Sequence, residues 1–254
     1  MAPGVSDLIT LRRNLDAALD EGIRPLRDDP VPIGVLFSGG VDSTVLAWEL
    51  RNAPGLALYT LGQVGSADWR AGRESAERLG LPWNPVPADR AGVDSIQECF
   101  RKELADSSPV VRAVLVSLAM AIRGASRPTL VCGQGADELF LGYAHYRHLP
   151  PREAERRSTE DLQRVLTVDW PRTLEIAAKL GKQVVAPFLT PAFIGRAREV
   201  PIEWRLPKDT PKRFFRDWAI ARGLPRELST RPKKAVQYGS GVARLLRSRA
   251  NGHD

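Results

Sequence analysis

Two short stretches hold most of the residues that could do chemistry: SGGVDST at 38–44 and GQGADE at 133–138. In the first, Gly39 and Gly40 permit a tight backbone curl, Ser38, Ser43 and Thr44 bring hydroxyls, and Asp42 brings a carboxylate. The stretch follows the apolar run IGVLF (33–37) and leads into STVLAWELR (43–51), which reads as a helix. A strand-to-helix turn of this kind presents backbone N–H groups at a helix start, where the dipole also favours anions, so the string reads as a cradle for phosphate. It is not the GxxxxGKS/T phosphate loop, because the lysine is absent and the spacing differs. In the second stretch Gly133 and Gly135 bracket Gln134, and Asp137 and Glu138 follow. It too comes at the end of an apolar strand, TLVCG (129–133). Ligands of open parallel sheets sit at the carboxyl ends of the strands, so Asp42 and Asp137 are expected to face one cavity. Two carboxylates, phosphate oxygens and water make the hard oxygen shell that Mg2+ prefers. Glu138 is expected either to reach that metal through water or to favour the positive end of the helix it begins.

The elements that must position these residues follow from the pattern. Leu8, Leu11, Leu15, Ala18 and Leu19 share one face of an opening helix over 5–23. Strands are expected at 33–37, 56–62, 83–88 and 129–133, with helices at 43–51, 68–80, 92–105 and 110–124. The segment ADELFLGYAHY (136–146) is expected to return to helix. Strands alternating with helices argue a doubly wound parallel sheet. Beyond residue 150 only helices are expected, with starts at Asp169-Trp170-Pro171, Thr190-Pro191 and Thr210-Pro211, and a stop at Gly223 and Pro225. No repeat or linker interrupts the 254 residues, so one unit is expected: a nucleotide-binding core over 1–150 and a helical covering part over 151–254.

Composition narrows the classes. The chain is 43% hydrophobic and 26% charged, which suits a folded domain rather than a disordered one. No apolar run approaches the ~20 residues that span a bilayer, and no signal-peptide pattern opens the sequence. Cys99 and Cys132 are the only cysteines, which excludes a disulfide framework or a CxxC site and favours a reducing, cytoplasmic setting. His145 and His148 flank Tyr146 without a nearby cysteine and read as surface or packing residues, while Cys132 reads as a small buried hydrophobe. Residues 201–250 carry 13 Lys and Arg against 4 Asp and Glu. Such an excess suits an anionic ligand or a solvated basic surface, and charge alone leaves both open.

The string SGGxDS after a buried strand resembles the pyrophosphate-binding loop of the ATP pyrophosphatase superfamily. SGGVDST, followed about 90 residues later by GQGADELFLGY, is similar to the synthetase domain of asparagine synthetase and its relatives, the β-lactam-forming synthetases included. VVAPFLTPAF (184–193), PKRFFRDWAIARGLP (211–225) and RPKKAVQYGSG (231–241) resemble further segments of that family. The resemblance implies an adenine nucleotide alpha hydrolase-like fold and an ATP- and Mg2+-dependent ligase that forms an acyl-adenylate, releases pyrophosphate, and passes the acyl group to ammonia or an amine. It implies that Lys212 is the catalytic lysine and Lys233 a second basic group near the pyrophosphate, with Arg213 and Arg216 as fallback candidates. It places adenine on the backbone of Leu36 and Phe37 and around Leu61 and Gly62.

Three departures from the family pattern bear on function. No glutaminase segment precedes the synthetase motifs, so the chain is expected to use free ammonia, ammonia from a separate glutaminase subunit, or another amine. Gln134 stands where relatives have a glutamate or a tyrosine; an amide can orient an acceptor but cannot serve as its base. Thr190 replaces an aspartate and can keep its capping role. A tRNA-modifying enzyme that adenylates a base is a competing reading, but the cysteine pairs or added RNA-binding domain usual there are absent, so nucleic acid is not the expected partner. A catalytically silent nucleotide-binding subunit is another, opposed by the presence of Asp42, Asp137 and Lys212. The carboxylate substrate, the nitrogen donor and the oligomeric state, homo-oligomer included, stay open.

Overall fold

The strands that precede the two motif loops are hydrogen-bonded neighbours. In a computed structural model describing residues 5–105, 107–206, 210–231 and 236–247, β1 (Ile33–Leu36) pairs in parallel with β4 (Thr129–Val131), Gly34 opposite Leu130 and Val35 opposite Val131. On its other edge β1 pairs with β2 (Ala57–Gly62), which pairs with β3 (Trp83–Pro87). The sheet order is β3-β2-β1-β4-β5, all parallel. The chain runs outward from β1 to β3, then returns to the other side of β1 for β4, so the order reverses between β1 and β4. Both loops therefore leave the carboxyl edge at the topological switch point, where open α/β sheets bind ligands. Helices α1 (Val5–Asp28), α2 (Val41–Glu49), α3 (Ala67–Leu79), α4 (Arg90–Cys99), α5 (Arg101–Leu104) and α6 (Pro109–Gly124) accompany these strands. Both faces of β1 and β2 are thereby buried, as their apolar sequences require.

The remainder differs from the helix-only expectation. Gln183–Val185 forms β5 on the free edge of β4, so the sheet draws its fifth strand from the second half of the chain. Three residues carry no readable periodicity; pairing with β4 is what makes them a strand. ADELFLGYAHY is a single turn, α7 (Ala136–Leu139), and a 3-10 turn at 144–146, because Leu141 enters the left-handed region (φ 55°) and Gly142 N donates to the Asp137 carbonyl. Helix 92–105 is broken at Phe100, between α4 and α5. Asp169 does not start a helix: α8 (Pro151–Arg164) continues through a π-turn at 165–169 into α9 (Trp170–Lys179). Pro171 has no N–H to give the carbonyl one turn back, and widening the turn absorbs that loss. Thr190 does cap α10 (Pro191–Glu199), its hydroxyl accepting from Phe193 N.

The last elements are α11 (Ile202–Arg205), α12 (Arg213–Ala221), α13 (Arg226–Ser229), α14 (Val236–Gly239) and α15 (Val242–Arg247). An aromatic cluster ties α12 to the sheet side. Phe215 lies 4.8 Å from Phe140, 5.5 Å from Phe188 and 5.3 Å from Trp218, ring to ring, and Phe188 lies 5.0 Å from Phe193. A charged hub reinforces it: Arg222 pairs with Asp16 and Asp20 of α1 and with Glu49 of α2. Among the described residues no helix is long and apolar enough to cross a membrane.

Replacing Arg222 with alanine strips the buried Glu49 carboxylate of its cation. A loss of about 3 kcal/mol is expected in urea denaturation, and a change below about 1 kcal/mol, the range of an exposed pair, would show that the hub contributes little.

Candidate active site

The turn after β1 is built from its own hydroxyls. Gly39 adopts φ 70°, and a side chain there would overlap the Ala71 carbonyl of α3. Ser43 Oγ and Thr44 Oγ1 both donate to the Gly40 carbonyl, at 3.1 and 2.8 Å, while Ser43 Oγ also accepts from Ser38 N at 3.3 Å. Gly40 is the N-cap of α2, a nine-residue helix, and no side chain caps it. Ser43 and Thr44 thus both commit their protons to Gly40, and Thr44, 0% exposed, holds the turn from beneath.

Asp42, in the first turn of α2, and Asp137, in α7, converge on one cation supplied by the chain. Lys212 Nζ lies 2.6 Å from Asp42 Oδ1 and 2.7 Å from Asp137 Oδ1. Burial by itself would lower the Lys212 ammonium, but the two carboxylates outweigh it and the net shift is upward. Asp42 is buried, whereas the Asp137 side chain is 34% exposed and forms the open side of the pair. Lys212 is not in the first turn of the helix expected from Thr210-Pro211. It is the N-cap of α12, in the left-handed region at φ 58°, and this bend turns its side chain back toward the sheet. Gly142 leaves the room: a Cβ there would overlap both Asp137 Oδ1 and Lys212 Cε. Sequence reasoning passed over Gly142, although it stands inside the GADELFLGY motif.

Glu138, in the first turn of α7, is 2% exposed and accepts a hydrogen bond from Tyr143 OH. Burial, then the neighbouring Asp137 charge, pushes its carboxyl up to about 7. Gln134 sits in the turn between β4 and α7, partly exposed, flanked by Gly133 and by Gly135 at φ 98°. Leu36 and Phe37 end β1, and Leu61 and Gly62 end β2 beside them. A cavity of about 410 Å3 adjoins that edge, lined by Gln63, Ser66, Arg70, Tyr238 and Arg244 among others. Another of about 610 Å3, between α8 and α11, shares no residue with the carboxylate–lysine group.

The fallback cations do not enter the site. Arg213 is exposed and lies 3.8 Å from Asp217, and Arg216 donates to backbone carbonyls. Lys233 lies outside the described residues. His145 Nε2 is 3.0 Å from Asp161 and its ring packs 4.2 Å from Tyr146, and no metal-holding group of three or more His, Cys, Asp or Glu occurs among the described residues. Cys132 is buried, and burial raises its thiol to about 11.

The asparagine synthase profile matches residues 14–179 and 151–252. The chain belongs to the asparagine synthase family. It is 26% identical to the glutamine-hydrolyzing asparagine synthetase of Gallus gallus over 97% of this chain and 46% of that protein. Against the Rattus norvegicus protein of the same name the identity is 29%, over 92% and 44%. The chain thus spans a little under half the length of these relatives. Among solved structures, the U34-tRNA thiolase NcsA of Methanococcus maripaludis superimposes with a TM-score of 0.37 at 12% identity, over 96% of this chain and 81% of that one.

The donor set suits the Mg2+ the family implies. Two carboxylates already bracket one cation, and no further carboxylate, histidine or cysteine completes a protein-only shell among the described residues. A metal there would be held by Asp42 and Asp137 together with phosphate and water oxygens.

Two outcomes are expected. Gly142→Ala should displace the lysine and cut turnover about 100-fold, the order of a small misplacement, with the circular dichroism spectrum unchanged; full activity would remove Gly142 from the site's geometry. The Glu138 carboxyl is raised from its ordinary 4.5 to about 7, so the folded protein binds the extra proton in that window. Its contribution to stability is therefore present below about pH 4.5 and lost as pH rises through about 7. Glu138→Gln should gain stability relative to the parent between pH 5 and 8 by about the amount so lost; parallel curves would refute the buried-carboxyl assignment.

Proposed function

We propose that the chain is an ATP-dependent, AMP-forming amide ligase, and the observation that carries this reading is the meeting of Lys212 with Asp42 and Asp137 beside the loop after β1. In the proposed reaction a substrate carboxylate oxygen attacks the α-phosphorus of ATP and the bond to pyrophosphate breaks. The nitrogen of ammonia or an amine then attacks the acyl carbon, AMP leaves with the C–O bonding pair, and the nitrogen gives up a proton. The Gly39–Gly40 turn and the start of α2 supply N–H groups for the phosphates. Asp42 and Asp137 would hold Mg2+, which supplies charge neutralisation for the leaving pyrophosphate. Lys212, between the same two carboxylates, is assigned to the phosphate and acyl oxygen. There it stabilises the charge that develops in both steps.

Lys233 is assigned to the pyrophosphate by its place in the RPKK segment. Leu36 and Leu61 offer backbone to adenine. Gln134, between Gly133 and Gly135, is assigned to orienting the acceptor, since its amide has no proton to exchange near neutral pH. The acceptor's proton must therefore go to another group or to solvent. Aspartate is the first carboxylate to test, and a separate glutaminase subunit is the expected source of ammonia where free ammonium does not suffice.

Incubation of the purified protein with ATP, Mg2+, ammonium and aspartate, then with other carboxylates and amines, should give AMP, pyrophosphate and an amide. Lys212→Met should lower turnover about 1,000-fold, within the range of losing one transition-state donor. ADP as product, or AMP formed at the same rate without any carboxylate, would overturn the ligase reading.

A further inference from the structure

Arg216, in α12 just beyond the Lys212 turn, carries a positive charge into the protein. Its guanidinium is spent on the backbone of two separate segments. Nε donates to the Pro211 carbonyl at 2.9 Å, the residue just before Lys212, and one terminal nitrogen donates to the Ser229 carbonyl and to the Arg231 carbonyl at 3.3 Å. The main chain repeats the connection, because Arg216 N donates to the Lys212 carbonyl at 2.9 Å and Ser229 Oγ donates to the Arg216 carbonyl at 2.9 Å. Burial pushes the guanidinium down from its usual range, opposed by Asp42 and Asp137, but an arginine stays charged. Taking a guanidinium out of water is costly, and three backbone carbonyls offset that cost here.

We infer that Arg216 is a positioning residue that locks the left-handed turn of Lys212 to the backbone at Ser229 and Arg231, so that Lys212 is presented to the nucleotide from a rigid support. Arg231 continues that support. Its guanidinium bonds the Ala71 carbonyl, Ser75 Oγ and Glu74 of α3, the helix whose backbone also closes over Gly39. The loop after β1, the Lys212 turn and the backbone at 229–231 are thereby braced against one another by two arginines. Only a planar fork can bond Pro211 and the 229–231 backbone at once; a lysine at 216 keeps the charge and loses the bridge.

The catalytic half of this inference rests on the ligase reading; the positioning half does not. Amine labelling read by mass spectrometry and hydrogen exchange over 210–213 and 229–231 are measured on the protein alone, for the parent, Arg216→Met and Arg216→Lys. Lys212 labelling is expected to rise about tenfold in both variants relative to Lys182, as a local opening would allow, with exchange rising in both segments. Turnover should fall about 100-fold and the KM for ATP should change less than about threefold, the split expected when catalytic geometry rather than binding is lost. If Arg216→Met does not fold, Arg216→Lys carries the same measurements. Unchanged Lys212 labelling, or an equal rise at every lysine, would overturn the proposal. So would full turnover in Arg216→Lys with Lys212 still loosened, since charge would then be all that matters. A parent protein that forms no AMP with any substrate would sink the ligase reading and leave the labelling result standing.

Discussion

Everything at this site depends on keeping one ammonium between two carboxylates almost out of water. Lys212 and Asp42 are both buried, and the ion pair between them offsets part of the cost of taking them out of water. The three partners come from three separate parts of the chain: the turn after β1, the single turn after β4, and the start of α12. The fold must bring these together with sub-ångström tolerance, because a lost contact leaves a buried charge uncompensated. The aromatic contacts of Phe140, Phe188 and Phe215 and the carbonyl clamp of Arg216 are the devices that hold α12 at that distance. The same arrangement suits a nucleotide enzyme.

The sheet order supplies the frame. Because β1 lies between β2 and β4, the loops that carry Asp42 and Asp137 leave adjacent strands at the same edge and on either side of a reversal. A ligand there meets a helix start from one loop and a carboxylate from the other. β5 covers the far edge of β4, which would otherwise expose unpaired backbone beside the site. The strand thus comes from beyond residue 150, and the two halves of the chain share one sheet.

The basic C-terminal region illustrates how charge misleads when it is read as composition. Among its described residues, Arg213, Arg226, Arg244 and Arg247 are exposed, and others are not. Arg205, Arg216, Arg222 and Arg231 are largely spent inside the protein, on Glu155, on backbone carbonyls, on a cluster of three acids, and on α3. Of the basic residues named for the site, Lys212 alone is seen at the carboxylates among the described residues. These four arginines fasten covering elements to the core.

The sequence by itself determined the parallel α/β class, the two motif loops at strand ends, and the pairing of Asp42 with Asp137. These follow from local pattern: a buried run of β-formers, glycines where the backbone must curl, a carboxylate at a helix start. The Thr190 cap was legible for the same reason. What only the tertiary structure decided is everything set by contacts between distant segments. β5 is a strand only because β4 is beside it, and α8 passes unbroken through Asp169 because Pro171 is absorbed by a π-turn. Glu138 turns inward because Tyr143 offers a hydrogen bond, and Lys212 is bent into a left-handed cap because its partners lie behind it. Gly142 and Arg216 take their meaning from what would collide or come loose without them. A one-dimensional pattern holds propensity and periodicity, but the cost of a buried charge depends on what stands next to it in space.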